Sequence, residues 1–224
     1  MKYLVQDLGL PSAITVESCP LDEKYEQLVQ SCGSSIPELG LHAVRKRRIE
    51  FYSGRWCAGR AIGALTGKFS VPGRNEDRSP AWPQGVVGSI SHSTEWAIAI
   101  AGDAKSCRRI GVDLEAIQHD LVVDELRASI LSQKEWSLVM GCTDKTKAFL
   151  TVFSCKESLF KALYPEVGSY FDYLDATVIA LAHDALTLRV NKPLGKASLF
   201  DQALFNVHVR YVANHVLTWH VDLL

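Results

Sequence analysis

Three strand patterns crowd between residues 86 and 117 with little chain between them, and that block limits what the rest of the chain can build. VVGSISHS and WAIAIAG are joined by a short polar turn at Thr94 and Glu95, and the polar stretch DAKSCR leads into RRIGVDLEAI. Runs of β-formers bounded by turn residues read as strands. Ahead of them residues 41–65 turn helical. Leu41, Val44, Phe51, Ala58, Ile62 and Leu65 recur at spacings of three, four and seven, and Gly67 follows as a stop. The loop VPGRNEDRSPAWPQG separates this helix from the strands. Further on, 121–140 and 144–164 read as helices, and 175–181, 184–190, 204–212 and 214–222 as strands with hairpin-like spacing. The first forty residues, broken by Pro11, Pro20, Gly33 and Pro37, read as irregular. This is a mixed α+β pattern rather than strict βαβ alternation. The polar connection at 103–108 is the expected boundary between two halves, 1–105 and 106–224.

Composition narrows the class. A chain of 224 residues is one large domain or two small ones, and 47% hydrophobic with 22% charged residues suits a globular core, not disorder or a coiled coil. The 24 basic and 25 acidic residues leave a net charge of −1, without the positive excess expected of a nonspecific nucleic-acid or membrane binder. No apolar run approaches the roughly 20 residues of a membrane span, and the first twenty residues do not resemble a secretory signal. The six cysteines are scattered with no C-x-x-C pair, which argues against a zinc knuckle or redox motif. A reduced, cytoplasmic protein with packed free thiols is the expectation.

Three places put charge where the pattern calls for apolar side chains. In RRIGVDLEA, alternation puts Ile110, Val112 and Leu114 on one face and Gly111, Asp113 and Glu115 on the other. Two carboxylates so placed repel, and a shared hard cation such as Mg²⁺ would relieve them; a solvated strand face carrying two acids fits the same residues. In KAFLTVFSCKESLFKALY, Phe149, Phe153, Phe160 and Leu163 form an apolar stripe with Glu157 inside it. Glu157 then reads as a third metal ligand or proton acceptor, with Lys156 and Lys161 holding an anionic substrate, or else as half of an i, i+4 ion pair with Lys161. In the first helix Arg48 and Arg55, a heptad apart, continue the apolar stripe, with Arg45, Lys46, Arg47 and Arg60 nearby. They suit a partly buried anion, as they suit a solvated basic face.

Ser91, His92 and Asp113 invite a hydrolase triad, but neighbours on a strand point to opposite faces, so His92 is badly placed as a base for Ser91, and no G-x-S-x-G elbow is present. Ser89 and His92 could instead donate to a phosphate at the strand end, or His92 could be only a turn residue.

GVDLE followed by FSCKESLFKA, with GSISHS before them, resembles the paired signature of the 4′-phosphopantetheinyl transferases, and KRRIEFYSGRWCAGRAI and RSPAWPQGVVGSISH look most like the enterobactin-synthase component D branch of their two-subdomain, Sfp-like class. The resemblance runs from about residue 41 to 165. It implies two similar α/β subdomains in one chain, related by a pseudo-twofold, with the active site in the cleft between them. It implies transfer of the phosphopantetheine arm of coenzyme A to a serine of an apo acyl or peptidyl carrier protein, leaving adenosine 3′,5′-bisphosphate. Asp113, Glu115 and Glu157 would hold Mg²⁺. Lys161 would bind phosphate and assist proton transfer. Ser91, His92 and Lys156 would contact CoA phosphates, with Arg48, Arg55 and Arg78 around the nucleotide. The motif aromatic is Phe153 where Trp is common, and Leu114 between the two acids offers no further ligand. A Mg²⁺-dependent nucleotide or CoA phosphohydrolase is the alternative enzyme, and a noncatalytic nucleotide- or carrier-binding module the alternative outside enzymes.

Overall fold

Residues 97–101 alternate alanine and isoleucine, and all five side chains are fully buried. They belong to the central strand of a three-stranded antiparallel sheet in the computed structural model, which describes residues 4–5, 7–32, 43–118, 123–182 and 184–224. That strand is β5 (Trp96–Asp103), flanked by β1 (Ile14–Pro20) and β4 (Val86–His92). The register pairs Ile14 with Gly102 and Pro20 with Trp96 on one side, and Val86 with Asp103 and His92 with Ala97 on the other. β1 corrects the expectation that the first forty residues are irregular, as does the short helix α1 (Lys24–Gln30). The polar Thr15, Glu17 and Ser18 hide β1 from a hydrophobicity reading. Residues 33–42, which include Gly33, Pro37 and Leu41, lie outside the described residues.

Helix α2 (Arg45–Thr66) lies on the alanine face of β5. Ala97 and Ala99 share a core with Tyr52, Cys57 and Ala58, and Ala101 with Ala61 and Ile62. Small residues on both sides bring helix and sheet close, so the buried surface of α2 is wide and includes Ser53, Gly54 and Gly59. The expected stripe is only partly seen: Ala58 and Ile62 are buried, but Val44 precedes the helix and is 72% exposed. The helix stops at Gly67, whose left-handed φ of 74° lets its N–H bond the Gly63 carbonyl, as the sequence indicates. The two-residue strands β2 (Gly73–Arg74) and β3 (Pro80–Ala81) pair within the following loop.

β6 (Cys107–Ala116) carries the chain from one compact unit to the next. The first unit holds the chain up to Leu114 together with Val221–Leu224, and the second is Glu115–His220, so these compact units divide inside β6. The physical reason is that β6 is continuous while its surroundings change along its length. In the first unit its start is tied to the chain end, Arg109 pairing with Asp222 and the Leu224 N–H reaching the Ser106 carbonyl.

In the second unit an antiparallel meander runs β7 (Ala176–Leu181), β8 (Ala185–Val190), β9 (Leu204–Val212) and β10 (His215–Leu223), close to the expected strands. The end of β6 is anchored beside it, the Ile117 N–H bonding the Asn214 carbonyl. Helix α5 (Lys145–Val167) covers this sheet, burying Phe149, Cys155, Leu159 and Leu163 with Leu188, Val190, Val207 and Val216. Asp144 caps its start by accepting from the Lys147 N–H, and Gly168 ends it one turn past the expected stop. The helix expected over 121–140 is two helices, α3 (Val123–Ile130) and α4 (Gln133–Met140); residues 121 and 122 are outside the described set. Ser132 and Glu135 form a reciprocal capping box that starts α4, a signal written in the sequence as S-x-x-E. Among the described residues no helix is long and apolar enough to cross a membrane.

Close approach within the first unit makes Gly88 a testable point. A Cβ there would come within 2.6 Å of the Ile100 carbonyl oxygen and of the Trp82 ring. Gly88→Ala is expected to cost about 1–3 kcal/mol, read as a lower urea midpoint with an unchanged denaturant slope.

Candidate active site

The segment FSCKES on α5 reaches partners in several elements. Ser154 and Ser158 reach the Thr218 hydroxyl at 2.9 and 2.7 Å, and Cys155 is fully buried, so the helix is pinned to β10. Lys156 is 3% exposed. Its Nζ donates to the Ile130 carbonyl at 2.8 Å, to Glu135 Oε2 at 3.0 Å and to the Tyr173 carbonyl at 3.0 Å. An ammonium has three hydrogens, and all three are engaged. Burial pulls the Lys156 amine below its ordinary value, while the charge of Glu135 opposes that pull. Glu135, itself fully buried, also accepts the Val178 N–H at 2.9 Å and the Ser132 N–H at 2.8 Å. Lys156 is therefore a structural cation, which corrects the reading that gave it to substrate phosphate. Glu157, placed inside the buried stripe by the sequence, is half-buried and accepts a hydrogen bond from the Tyr173 hydroxyl. Lys161 is also half-buried. Adjacent helix positions differ by about 100°, so the side on which 156 and 157 fall depends on where the sheet sits.

In the first unit the end of β4 meets β6. The Ser89 hydroxyl accepts the Val112 N–H at 3.1 Å, and the Ser91 hydroxyl donates to Asp113 Oδ1 at 2.8 Å. Ser91 and Asp113 are both buried. Ser89 and Ser91, expected to face a phosphate, thus act within the protein, Ser91 by orienting Asp113. His92 points the other way, its Nε2 3.3 Å from Arg47 Nη1 and 3.9 Å from Glu50 Oε2. The Ser-His-Asp triad does not form, for the strand-alternation reason anticipated. Asp113 is no solvated surface acid. Glu115, on the same strand face two residues on, is half-buried.

The basic run of α2 is largely compensated. Arg45 pairs with Glu23, Arg48 with Glu26, Arg60 with Glu17, and Lys46 and Arg47 approach Glu50. Arg48 is exposed, not on the buried face its heptad spacing implied, because it sits in the first turn. Arg55 differs. It is 4% exposed, its guanidinium lies over the Phe51 ring at 4.9 Å, and its Nε has no hydrogen-bond partner among the described residues. Burial, with the positive charge of Arg74 pushing the same way, brings its value down to about 10. No sequence pattern marks Arg74 on β2. Arg78, the arginine expected around the nucleotide, sits exposed on the β2–β3 turn with a φ of 73°. Arg74 on β2 is near enough for its charge to act on Arg55, and no periodicity reveals that.

The donor chemistry fits a hard cation. Asp113, Glu115 and Glu157 offer only oxygens, and both Asp113 and Glu157 have one oxygen held by a hydroxyl donor. Among the described residues of either unit, no three His, Cys, Asp or Glu side chains stand together as a preformed cluster.

Comparison with known proteins bears on both units. Residues 38–102 match the family model for the 4′-phosphopantetheinyl transferase N-terminal domain, and residues 109–218 the model for the 4′-phosphopantetheinyl transferase superfamily. The chain is 36% identical over 148 residues to enterobactin synthase component D of Salmonella typhi, covering 65% of this chain and 61% of that protein. It is 37% identical over 163 residues to 4′-phosphopantetheinyl transferase Svp of Streptomyces mobaraensis, covering 67% and 63% respectively. To 4′-phosphopantetheinyl transferase Npt of Nocardia iowensis it is 30% identical over 166 residues, 73% of this chain and 72% of that one. The match thus spans less than two thirds of the first two relatives.

The buried pair carries its own prediction. Lys156→Met leaves the Glu135 carboxylate buried without its counter-charge and is expected to cost about 3–5 kcal/mol, measured by urea unfolding. Adding Glu135→Gln should recover much of that loss, since the orphaned charge is gone.

Proposed function

Because the chain belongs to the 4′-phosphopantetheinyl transferase superfamily, we propose that it moves the phosphopantetheine arm of coenzyme A onto a serine of an apo acyl or peptidyl carrier protein. The observation that carries the reading is Arg55, a buried guanidinium with an unbonded Nε and a like charge beside it. Two cations so placed favour an anion, and a planar guanidinium matches phosphate oxygens. In this reading Arg55 and Arg74 hold a phosphate of CoA, with His92, Arg48 and Arg78 as further contacts. Each unit lays one long helix, α2 or α5, on an antiparallel sheet, which supports two similar subdomains.

Asp113, Glu115 and Glu157 would hold Mg²⁺, with Ser91 and Tyr173 orienting the first and last of these. Bound there, Mg²⁺ would supply charge neutralisation for the pyrophosphate. Lys161 binds phosphate. The carrier serine oxygen forms its bond to phosphorus as the bond to the leaving phosphate breaks, and adenosine 3′,5′-bisphosphate departs. Glu157, directly or through a water, accepts the serine proton.

The deciding experiment incubates the protein with CoA, Mg²⁺ and an apo carrier protein and weighs the carrier by mass spectrometry. Gain of one phosphopantetheine is expected. Breakdown of CoA with an unmodified carrier would mean a phosphohydrolase. Glu157→Gln and Asp113→Ala should abolish transfer with the fold intact, and wild-type rates in either would remove the metal assignment. Arg55 gives a two-sided prediction. Its value falls on folding, so the fold binds that proton more weakly than the unfolded chain does. At neutral pH, where both forms are charged, the folded state bears the cost. Arg55→Met is therefore expected to stabilise the ligand-free protein by about 1–4 kcal/mol, while weakening adenosine 3′,5′-bisphosphate binding in calorimetry.

A further inference from the structure

Phe153, Lys156 and Glu157 stand at i, i+3 and i+4 on α5, so they share one helix face. All three meet one residue of another element, Tyr173. The Phe153 ring packs against the Tyr173 ring with centroids 5.6 Å apart, Lys156 Nζ holds the Tyr173 carbonyl at 3.0 Å, and Glu157 accepts from the Tyr173 hydroxyl. The turn carrying Tyr173 is fixed from its other side. Asp175 accepts the Asp172 N–H at 2.9 Å, and the Asn191 side chain donates to the Leu174 carbonyl at 2.9 Å. Lys156 is held in turn by Glu135.

We propose that Tyr173 is a positioning residue for Glu157, and that Phe153 and Lys156 serve the site by holding Tyr173 rather than by touching substrate. The inference rests on the reading of Glu157 as an active-site carboxylate. A glutamate has three side-chain torsions, and a half-buried one next to solvent samples several rotamers unless a donor holds it. The hydroxyl occupies Oε1, so Oε2 is presented in one direction. Packing alone would be served as well by phenylalanine at 173. What distinguishes the two roles is whether the hydroxyl matters to the reaction.

The test compares wild type, Tyr173→Phe, Glu157→Asp and the double variant. Tyr173→Phe keeps the ring on Phe153 and the carbonyl on Lys156 and removes only the hydroxyl. Its kcat for carrier modification is expected to fall roughly tenfold to a hundredfold, with KM for CoA and the melting temperature unchanged. In the Glu157→Asp background, where the shorter carboxylate no longer meets the hydroxyl, the same substitution should cost little further; additive losses would overturn the coupling. A second readout needs no turnover. The ultraviolet difference spectrum of metal-free wild type minus Glu157→Gln should show a tyrosine shift that vanishes when residue 173 is phenylalanine. Wild-type kcat in Tyr173→Phe, with that shift present, overturns the positioning role alone. A wild-type protein that leaves the carrier unmodified overturns the transferase reading and this inference with it.

Discussion

Lys156 and Glu135 lie in the interior of the second unit with almost no contact with water, and much of that unit is organised around keeping their charges satisfied. Removing an ammonium and a carboxylate from water is costly, and their attraction repays it only when the remaining donors and acceptors are also matched. Here they are. The lysine closes the end of α3 through the Ile130 carbonyl and fixes the Tyr173 turn, while the carboxylate caps α4 through Ser132 and takes a strand N–H from Val178. One ion pair thus ties α3, α4, α5, β7 and the Tyr173 turn together. Because Lys156 precedes Glu157 in the chain, satisfying the first in the interior turns the second outward beside Tyr173.

The first unit handles charge differently. Along α2, acids of α1 and β1 compensate the bases at the helix ends, whereas Arg55 lies mid-helix where the small residues Ser53, Gly54, Cys57 and Ala58 bring the helix close to its surroundings. A guanidinium enclosed there, with Arg74 for a neighbour, is stabilising for a bound anion and not for the empty fold. If Arg55 holds phosphate as proposed, stability and binding are set against each other at that position, a common arrangement at functional sites.

Much of the chain was legible from its residues. The two long helices, the strands from 86 onward and the acids at 113, 115 and 157 follow from periodicity and from charges that break it. What escaped has identifiable causes. β1 is polar enough to pass as loop until β5 is seen beside it. The break between α3 and α4 was encoded in Ser132 and Glu135, but a continuous helical period masked it. Lys156 rather than Glu157 is the fully buried one of the two, because an apolar stripe marks a helix face only to within a residue or so, and a satisfied buried cation looks the same in sequence as a solvated one.

By itself the sequence determined which chemistry the chain contains: carboxylates on β6 and α5, cations on α2 and α5, and elements of a length and period to hold them. Those properties are local, set by backbone alternation and helical pitch. Only the tertiary structure decided which charges meet. Arg74 beside Arg55, Ser91 on Asp113, and Tyr173 between Lys156 and Glu157 each join segments distant in sequence. Burial, which makes a charge costly unless partnered, depends on packing that no single segment contains.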